Sequence, residues 1–230
     1  LKQLGIAYSQ EFIADTLARH LDITRNLVAL FKSYFDPRYA VESSRSDRSV
    51  GLSEKISQAL DKVENISEDI VLRGYLEVVE ATLRTNFFQG FEDGSSKSYI
   101  SVKLEAGKIS LAPKPRPAYE IFVYSPRVEG VHLRGGKVAR GGLRWSDRLE
   151  DYRTEVLGLV KAQQVKNAVI VPTGAKGGFV AKQADMAAGR EAWLQEGISS
   201  YMLYIQALMD ISDNLIEGEV VAPYNVVRRD

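Results

Sequence analysis

Apolar residues in the first ninety positions recur every three or four residues, which is the period of an amphipathic helix. The clearest run extends from Ser9 to Phe35 and ends just before Pro37, because the residue that precedes a proline disfavours the helical conformation. Its apolar positions are Phe12, Ile13, Leu17, Leu21, Leu27, Val28 and Phe31. This pattern predicts one long helix or two joined helices.

Two more helices are predicted where a serine stands before an apolar periodic run. Ser53 precedes EKISQALDKV and Ser67 precedes EDIVLRGYLEVVEATLRTNFF, and a serine in this position can cap the first turn of a helix. The polar segment SSRSDRS at 43–49 has no such period, so we interpret it as a solvated connector. Segment 1–92 is therefore predicted to be mainly helical.

The pattern changes to that of β-strands after Gly90. Segments 98–105 and 119–124 are rich in β-branched and aromatic residues with partial alternation, and 129–134 indicates a third short strand. The proline-containing stretch PKPRP between the first two strands indicates a turn.

Farther along the chain, helix and strand patterns alternate. A helix is predicted over 149–165, a fully apolar buried strand over 168–172 (AVIVP), and a long helix over 185–214. This order is typical of an α/β sheet. We expect an α/β protein in which a helical N-terminal part precedes a mixed, mainly parallel sheet domain over 93–230.

Composition and charge exclude several classes of protein. Thirty Lys and Arg balance thirty Asp and Glu, so no overall field draws the chain to nucleic acid or to an anionic membrane. The absence of Cys excludes disulfides, thiolate metal sites and a Cys nucleophile, and we expect a cytoplasmic protein. The sequence has no secretion signal and no apolar run of about eighteen residues, the length that a spanning helix needs. Any anion site must be local.

Three cationic segments, two of them framed by glycines, lie between Arg134 and Gly178. They are RGGKVARGGLR at 134–144, QQVKNA at 163–168 and PTGAKGG at 172–178. Glycine allows the backbone to approach a ligand closely, so cations placed among glycines are suited to a small anion. Taken singly, the first segment is also explained by tight turns and the second by a surface lysine at a helix C-terminus, whereas a turn explains the glycines of the third but not its lysine. Their combination favours an anion site.

Other site chemistries lack the motifs that they need. PTGAKGG does not have the P-loop spacing and the chain contains no GxGxxG, so no nucleotide site is predicted. The two histidines, His20 and His132, fall in unrelated elements. We expect both to be structural, with neither a histidine metal site nor a Ser-His-Asp triad.

The order of the cationic segments resembles the substrate domain of glutamate dehydrogenases: RGGLR, a helix that ends in QxxKNA, then an apolar strand and PxGAKGG. The sequence from Arg127 to Val180, with LRTNFFQ upstream and PYNVVRRD downstream, is similar to that of the very large bacterial NAD-specific glutamate dehydrogenases. The resemblance covers nearly the whole chain. It implies oxidative deamination of L-glutamate to 2-oxoglutarate and ammonia with NAD, with a helical segment at 1–92 and a substrate-binding domain at 93–230.

Roles for three residues follow from the resemblance. Lys166 would hold the substrate α-carboxylate with help from Gln163, which lies one helical turn away on the same face. Lys176 would be the catalytic lysine, which as a general base activates the water that attacks the substrate iminium.

The glycine pair is implied to bind the other end of the substrate. Common glutamate dehydrogenases have a lysine before the glycines that correspond to Gly141 and Gly142, and that lysine meets the side-chain carboxylate. This chain has Arg140 there, and arginine can bind a carboxylate bidentately where lysine acts as a point charge.

No residue of this chain corresponds to the family's catalytic aspartate or to its NAD-binding Rossmann domain. We expect the aspartate beyond Asp230, and we expect no turnover by the chain alone. The expected partners are glutamate or 2-oxoglutarate, the other domains of a parent chain, and further copies in a homo-oligomer; no nucleic acid, membrane or metal is expected. The alternative hypothesis is a non-catalytic anion-binding or assembly module whose helical half docks other domains.

Overall fold

The structure, a computed structural model, describes residues 1–39, 42–91, 93–136, 141–167 and 174–230, without the side chains of 42–46 and 164–167. Its helices are α1 (Gln10–Arg19), α2 (Leu21–Phe35), α3 (Glu42–Leu60), α4 (Ile66–Ala81), α5 (Tyr152–Asn167) and α6 (Arg190–Met209). Its strands are β1 (Thr82–Thr85), β2 (Ile100–Leu104), β3 (Tyr119–Tyr124), β4 (Val128–Arg134), β5 (Leu143–Trp145), β6 (Ala175–Ala181), β7 (Asn214–Ile216) and β8 (Glu219–Val221).

The first predicted helical run consists of two joined helices that meet at His20. The Ser9 hydroxyl caps α1 by accepting a hydrogen bond from the Phe12 N–H at 3.0 Å. At the end of α2, Asp36 is extended, as expected for a residue before proline. The prediction for this part of the chain is confirmed.

The interpretation of 43–49 as a connector was wrong, because the whole segment belongs to α3. Leu60 and Ile56 of α3 are fully buried in a cluster with α2 and α4, and this packing stabilises a helix whose polar first half has little apolar period. Ser53 therefore lies inside α3 and does not cap it. Its hydroxyl hydrogen-bonds to the Glu80 carboxylate at 2.6 Å.

The fourth helix begins and ends earlier than predicted. Asn65, and not Ser67, is the N-cap: its side-chain oxygen accepts hydrogen bonds from the N–H groups of Ser67 and Glu68. The helix ends at Ala81 and the chain continues as β1, because β1 pairs with β2 and all four of its residues are buried. Tertiary pairing there overrides a helical pattern.

The sheet confirms the α/β class but not the expected strand directions. Its order is β1-β2-β3-β4-β6-β5, and among the described strands only β5 and β6 pair in parallel. The expectation of a mainly parallel sheet was wrong for these strands. Only three residues, 125–127, connect β3 to β4, and so short a connection requires antiparallel neighbours. The strand predicted at 168–172 lies outside the described residues.

The two long C-terminal helices cover opposite faces of the sheet. On one face, Val131 and Leu133 of β4 pack against Tyr152 and Val156 of α5. On the other, Tyr204 of α6 packs against a cluster from the sheet that includes Val128 and Phe179. None of the helices described in the structure has the length and apolar character needed to cross a membrane.

Candidate functional site

Strands β5 and β6 bring two of the three cationic segments together. Leu143 of the GGLR segment pairs with Gly177 of the GAKGG segment, and the Gly177 N–H donates a hydrogen bond to the Gly142 carbonyl at 3.2 Å. The Gly135 N–H, at the start of the first segment, donates to the Gly174 carbonyl at 3.1 Å. The glycine turns predicted from sequence are therefore neighbours in the fold.

Gly141 is pressed against the backbone of β6. A Cβ atom placed on Gly141 would overlap the carbonyl oxygen of Ala175, far inside van der Waals contact. Any side chain at position 141 would push the two segments apart. Glycine is required here for close approach of two backbones, and both Gly141 and Gly142 remain exposed at the surface.

Lys176 lies on the face of the sheet that carries α5. It pairs with Leu133, whose side chain packs under α5, and Gly178 two residues later faces Val156 of that helix. The Lys176 side chain is partly buried. Its Nζ lies 3.9 Å from the position that a Cβ on Gly142 would take, so the ammonium group sits beside the glycine pair.

Helix α5 runs antiparallel to β6. At its start the Tyr152 hydroxyl hydrogen-bonds to Glu129 at 3.1 Å, and Glu129 pairs with Val180 of β6. One turn later, Val156 faces Gly178. Because the helix advances about 1.5 Å per residue, Gln163 lies about 10 Å beyond Val156, in the direction of Lys176. Gln163 is partly buried on the same side of α5.

The Glu155 carboxylate joins α5 to β5. It accepts a hydrogen bond from the Ser146 hydroxyl at 2.6 Å and pairs with the Arg144 Nε at 2.6 Å. This residue was missed in the sequence, since a single glutamate on a helix gives no signal of its partners. It fixes the position of the GGLR strand relative to the helix that carries Gln163.

The opposite face below the glycines is closed by α6. The Tyr204 hydroxyl donates to the Val131 carbonyl at 2.7 Å, and it would also touch a Cβ on Gly177 at 2.7 Å. His132 lies on this face too, away from Lys176. Burial, and then the charge of Arg134, lower the pKa of His132 to about 4, so the ring is neutral at physiological pH. Its Nδ1 has no hydrogen-bond partner in the described part of the chain.

The remaining predicted residues are distributed as follows. Arg140 and Lys137 lie outside the described residues, and of Lys166 only the backbone, in the last turn of α5, is described. Lys176, Gln163, Gly141 and Gly142 are brought to one end of the α5–β6 layer. Asp230 was not expected to be catalytic, and its carboxylate pairs with Arg84 and Lys103. His20 is also away from the glycines, with Nε2 2.7 Å from Glu68.

Comparison with known proteins places this chain among the dehydrogenases. The family described as bacterial NAD-glutamate dehydrogenase, catalytic domain, matches residues 55–230, and the one described as glutamate dehydrogenase, helical motif 3, matches residues 1–37. The chain belongs to the bacterial NAD-glutamate dehydrogenase family. This finding confirms the resemblance found in the cationic segments.

Three relatives are each described as an NAD-specific glutamate dehydrogenase. The chain is 57% identical to the protein of Halomonas elongata over 230 residues and 55% identical to that of Pseudomonas aeruginosa over 231 residues. It is 48% identical to the Mycobacterium tuberculosis protein over 239 residues. All of this chain is covered in each case, but it spans only 14%, 14% and 15% of the relatives' lengths.

Proposed function

We propose that this chain is the substrate-binding part of an NAD-dependent glutamate dehydrogenase, which converts L-glutamate to 2-oxoglutarate and ammonia. The observation that carries the proposal is the position of the Lys176 Nζ, beside Gly142 and on the face where α5 brings Gln163. In this proposal segment 1–92 supports the domain formed by 93–230.

The substrate is a dicarboxylate, and the site needs a separate cation for each of the two carboxylates. Lys166 and Gln163 bind the α-carboxylate from the last turn of α5. Arg140 and the N–H groups of Gly141 and Gly142 bind the distal carboxylate. Their exposure supports this role, since a glycine has no side chain of its own to keep an anion from its N–H group.

Lys176 is the catalytic residue in this proposal. After hydride loss the α-carbon of glutamate is an iminium, and a neutral lysine amine can take a proton from the water that attacks it. A lysine on a central strand is held more rigidly than one on a loop, because β6 is paired on both sides by β4 and β5. Substrate bound between Gln163 and the glycine pair would lie against this amine.

The hydride acceptor, NAD, does not fit this chain. The sequence contains no GxGxxG, and the described strands β1 to β4 form an antiparallel run where a dinucleotide-binding domain needs parallel βαβ units. We assign NAD to another part of a larger enzyme and expect no turnover by the chain alone. The absence of Cys is in keeping with a cytoplasmic enzyme.

Isothermal titration of the chain with 2-oxoglutarate tests the proposal. Binding is expected, and Lys166→Ala should abolish it because the α-carboxylate loses its cation. The control is Lys161→Ala, which removes an exposed lysine from the same helix and should leave the affinity unchanged. Absence of binding, or equal affinity in the wild type and Lys166→Ala, would contradict the proposal. Equally tight binding of sulfate would indicate a general anion module instead.

A further inference from the structure

The GGLR strand has little backbone pairing of its own. Strand β5 (Leu143–Trp145) has three residues, and among the described strands it pairs with β6 alone, at the edge of the sheet. Gly141 and Gly142 come directly before it. A segment with few contacts opens more easily than a central strand. The position of the glycine pair therefore depends on the side chains that hold β5.

Glu155 holds β5 from the face that α5 covers. It lies in the first turn of α5, its side chain is 13% exposed, and its two carboxylate oxygens have different partners. Oε1 accepts from the Arg144 Nε at 2.6 Å, and Oε2 accepts from the Ser146 hydroxyl at 2.6 Å. Water screens the contact with Arg144, which is 57% exposed, whereas Ser146 is buried. One carboxylate thus ties two positions on the same face of the strand to the helix.

The opposite face of β5 is held by aromatic packing. Trp145 stacks on Trp193 of α6 with ring centroids 4.2 Å apart, and a Cβ on Gly197 of the same helix would overlap the Trp145 ring. Trp145 therefore fixes β5 relative to α6, and Glu155 fixes it relative to α5. Of these two helices, only α5 carries residues that the proposed function assigns to the substrate.

We propose that Glu155 is a positioning residue that sets the distance between the two carboxylate subsites, and thereby the length of the dicarboxylate that binds. This inference rests on the proposed function, in which α5 binds the α-carboxylate and the glycine pair before β5 binds the distal one. The two ends of the ligand then belong to different elements. Binding groups must be held to within about 0.5 Å of their productive geometry, and one added methylene lengthens a carbon chain by more than that.

Isothermal titration of the 230-residue chain with 2-oxoglutarate and with 2-oxoadipate, which has one more methylene, tests the inference. The wild type should bind 2-oxoglutarate at least about tenfold more tightly, the lower end of what one methylene is worth in a fitted site. Glu155→Ala removes both links to β5, so 2-oxoglutarate should bind more weakly and the two ligands should bind with similar affinity. Glu155→Gln keeps one oxygen as an acceptor, and its preference should be intermediate.

The ratio of the two affinities distinguishes positioning from a merely structural role, because a loss of folded protein lowers both affinities by the same factor. Glu196→Ala is the matched control. Glu196 of α6 also holds an arginine and a serine, Arg127 at 2.6 Å and Ser200 at 3.2 Å, and its side chain is 16% exposed. Arg127 pairs through its carbonyl with Lys182, just past the end of β6 that is farther from the glycine pair. Glu196→Ala should lower the free energy of unfolding, measured in urea, and leave the ratio unchanged.

The outcomes separate this inference from the proposed function. If the wild type binds neither dicarboxylate, both are wrong. If the wild type binds 2-oxoglutarate without preferring it to 2-oxoadipate, or if the full preference remains in Glu155→Ala, only this inference is overturned. Should Glu155→Ala fail to fold, an unchanged ratio in Glu155→Gln overturns the inference equally.

Discussion

Gly141 and Ala175 approach so closely that no side chain fits between them. The Ala175 carbonyl occupies the place of a Cβ on Gly141, and this contact sets the distance between the GGLR and GAKGG segments. Two segments that are distant in sequence are thus joined by direct backbone contact. The position of Lys176 beside Gly142 depends on this contact.

Gly141→Ala should therefore destabilise the chain and weaken dicarboxylate binding. The methyl group must displace β5 from β6, and overpacking of this kind costs about 1–3 kcal/mol. Urea unfolding measures the loss in the free energy of unfolding, and titration with 2-oxoglutarate measures the loss of affinity.

The control for this substitution is Gly158→Ala in the middle of α5. Among the residues that the structure describes, nothing outside the helix backbone lies within 4 Å of a Cβ at that position, and alanine is the better helix former by about 1 kcal/mol. Gly158→Ala should therefore be neutral or stabilising. If the two variants unfold at the same urea concentration, the packing of Gly141 against Ala175 does not matter for stability.

The buried ion pair of Glu120 and Arg153 should respond differently to single and double substitution. Side chains of both residues are at most 3% exposed, so Glu120→Gln leaves a buried guanidinium without its counter-charge. We expect the free energy of unfolding to fall by about 3–5 kcal/mol, and the double variant Glu120→Leu with Arg153→Met to recover most of that loss.

An exposed ion pair serves as the comparison for the buried one. Arg148 and Asp151 also pair, but their side chains are 55% and 44% exposed. Asp151→Asn should change the free energy of unfolding by less than about 1 kcal/mol, because water solvates the remaining charge. A loss as small for Glu120→Gln as for Asp151→Asn would contradict the interpretation of the buried pair.

His132 should make the stability depend on pH in the weakly acidic range. Burial, and then the charge of Arg134, lower its pKa to about 4 in the folded chain, against about 6.5 when unfolded. The unfolded state thus binds the extra proton first, so stability is lost as the pH falls from about 6.5 to about 4. The difference corresponds to about 3 kcal/mol.

Urea unfolding between pH 4 and pH 7 measures this contribution. His132→Gln should reduce the dependence of the free energy of unfolding on pH over that range. In His20→Gln the contribution of His132 to this dependence should remain. Identical slopes in the wild type and His132→Gln would show that His132 is not protonated on unfolding.

Local sequence signals predicted much of this fold, and the errors have a common physical origin. The α1–α2 pair and the strands β2, β3 and β4 follow from periodicity and from side-chain type. Segment 43–49 and strand β1 do not, because their conformation depends on distant partners: α2 and α4 for the helix that contains 43–49, and β2 for β1. Their own residues carry a weak or contrary signal.

The sequence indicated the residues of the candidate site but not the residues that hold them in position. Glycines flanking cations made Lys176, Gly141 and Gly142 conspicuous in the sequence. Nothing local indicated that Glu155 would hold the GGLR strand, or that Tyr204 would close the opposite face. These supporting contacts join residues that are far apart in the chain, and a single sequence gives no signal of such contacts.

The residue spacing along helix α5 also determines which face of the helix Gln163 occupies. Tyr152, Val156 and Val160 fix the helix against the sheet, and Gln163 follows in the next turn. Each residue turns an α-helix by about 100°, so one residue inserted after Val156 would rotate Gln163 off the face of α5 that packs on the sheet, without changing its identity. The number of residues between Val156 and Gln163 is therefore as constrained as the identity of Gln163.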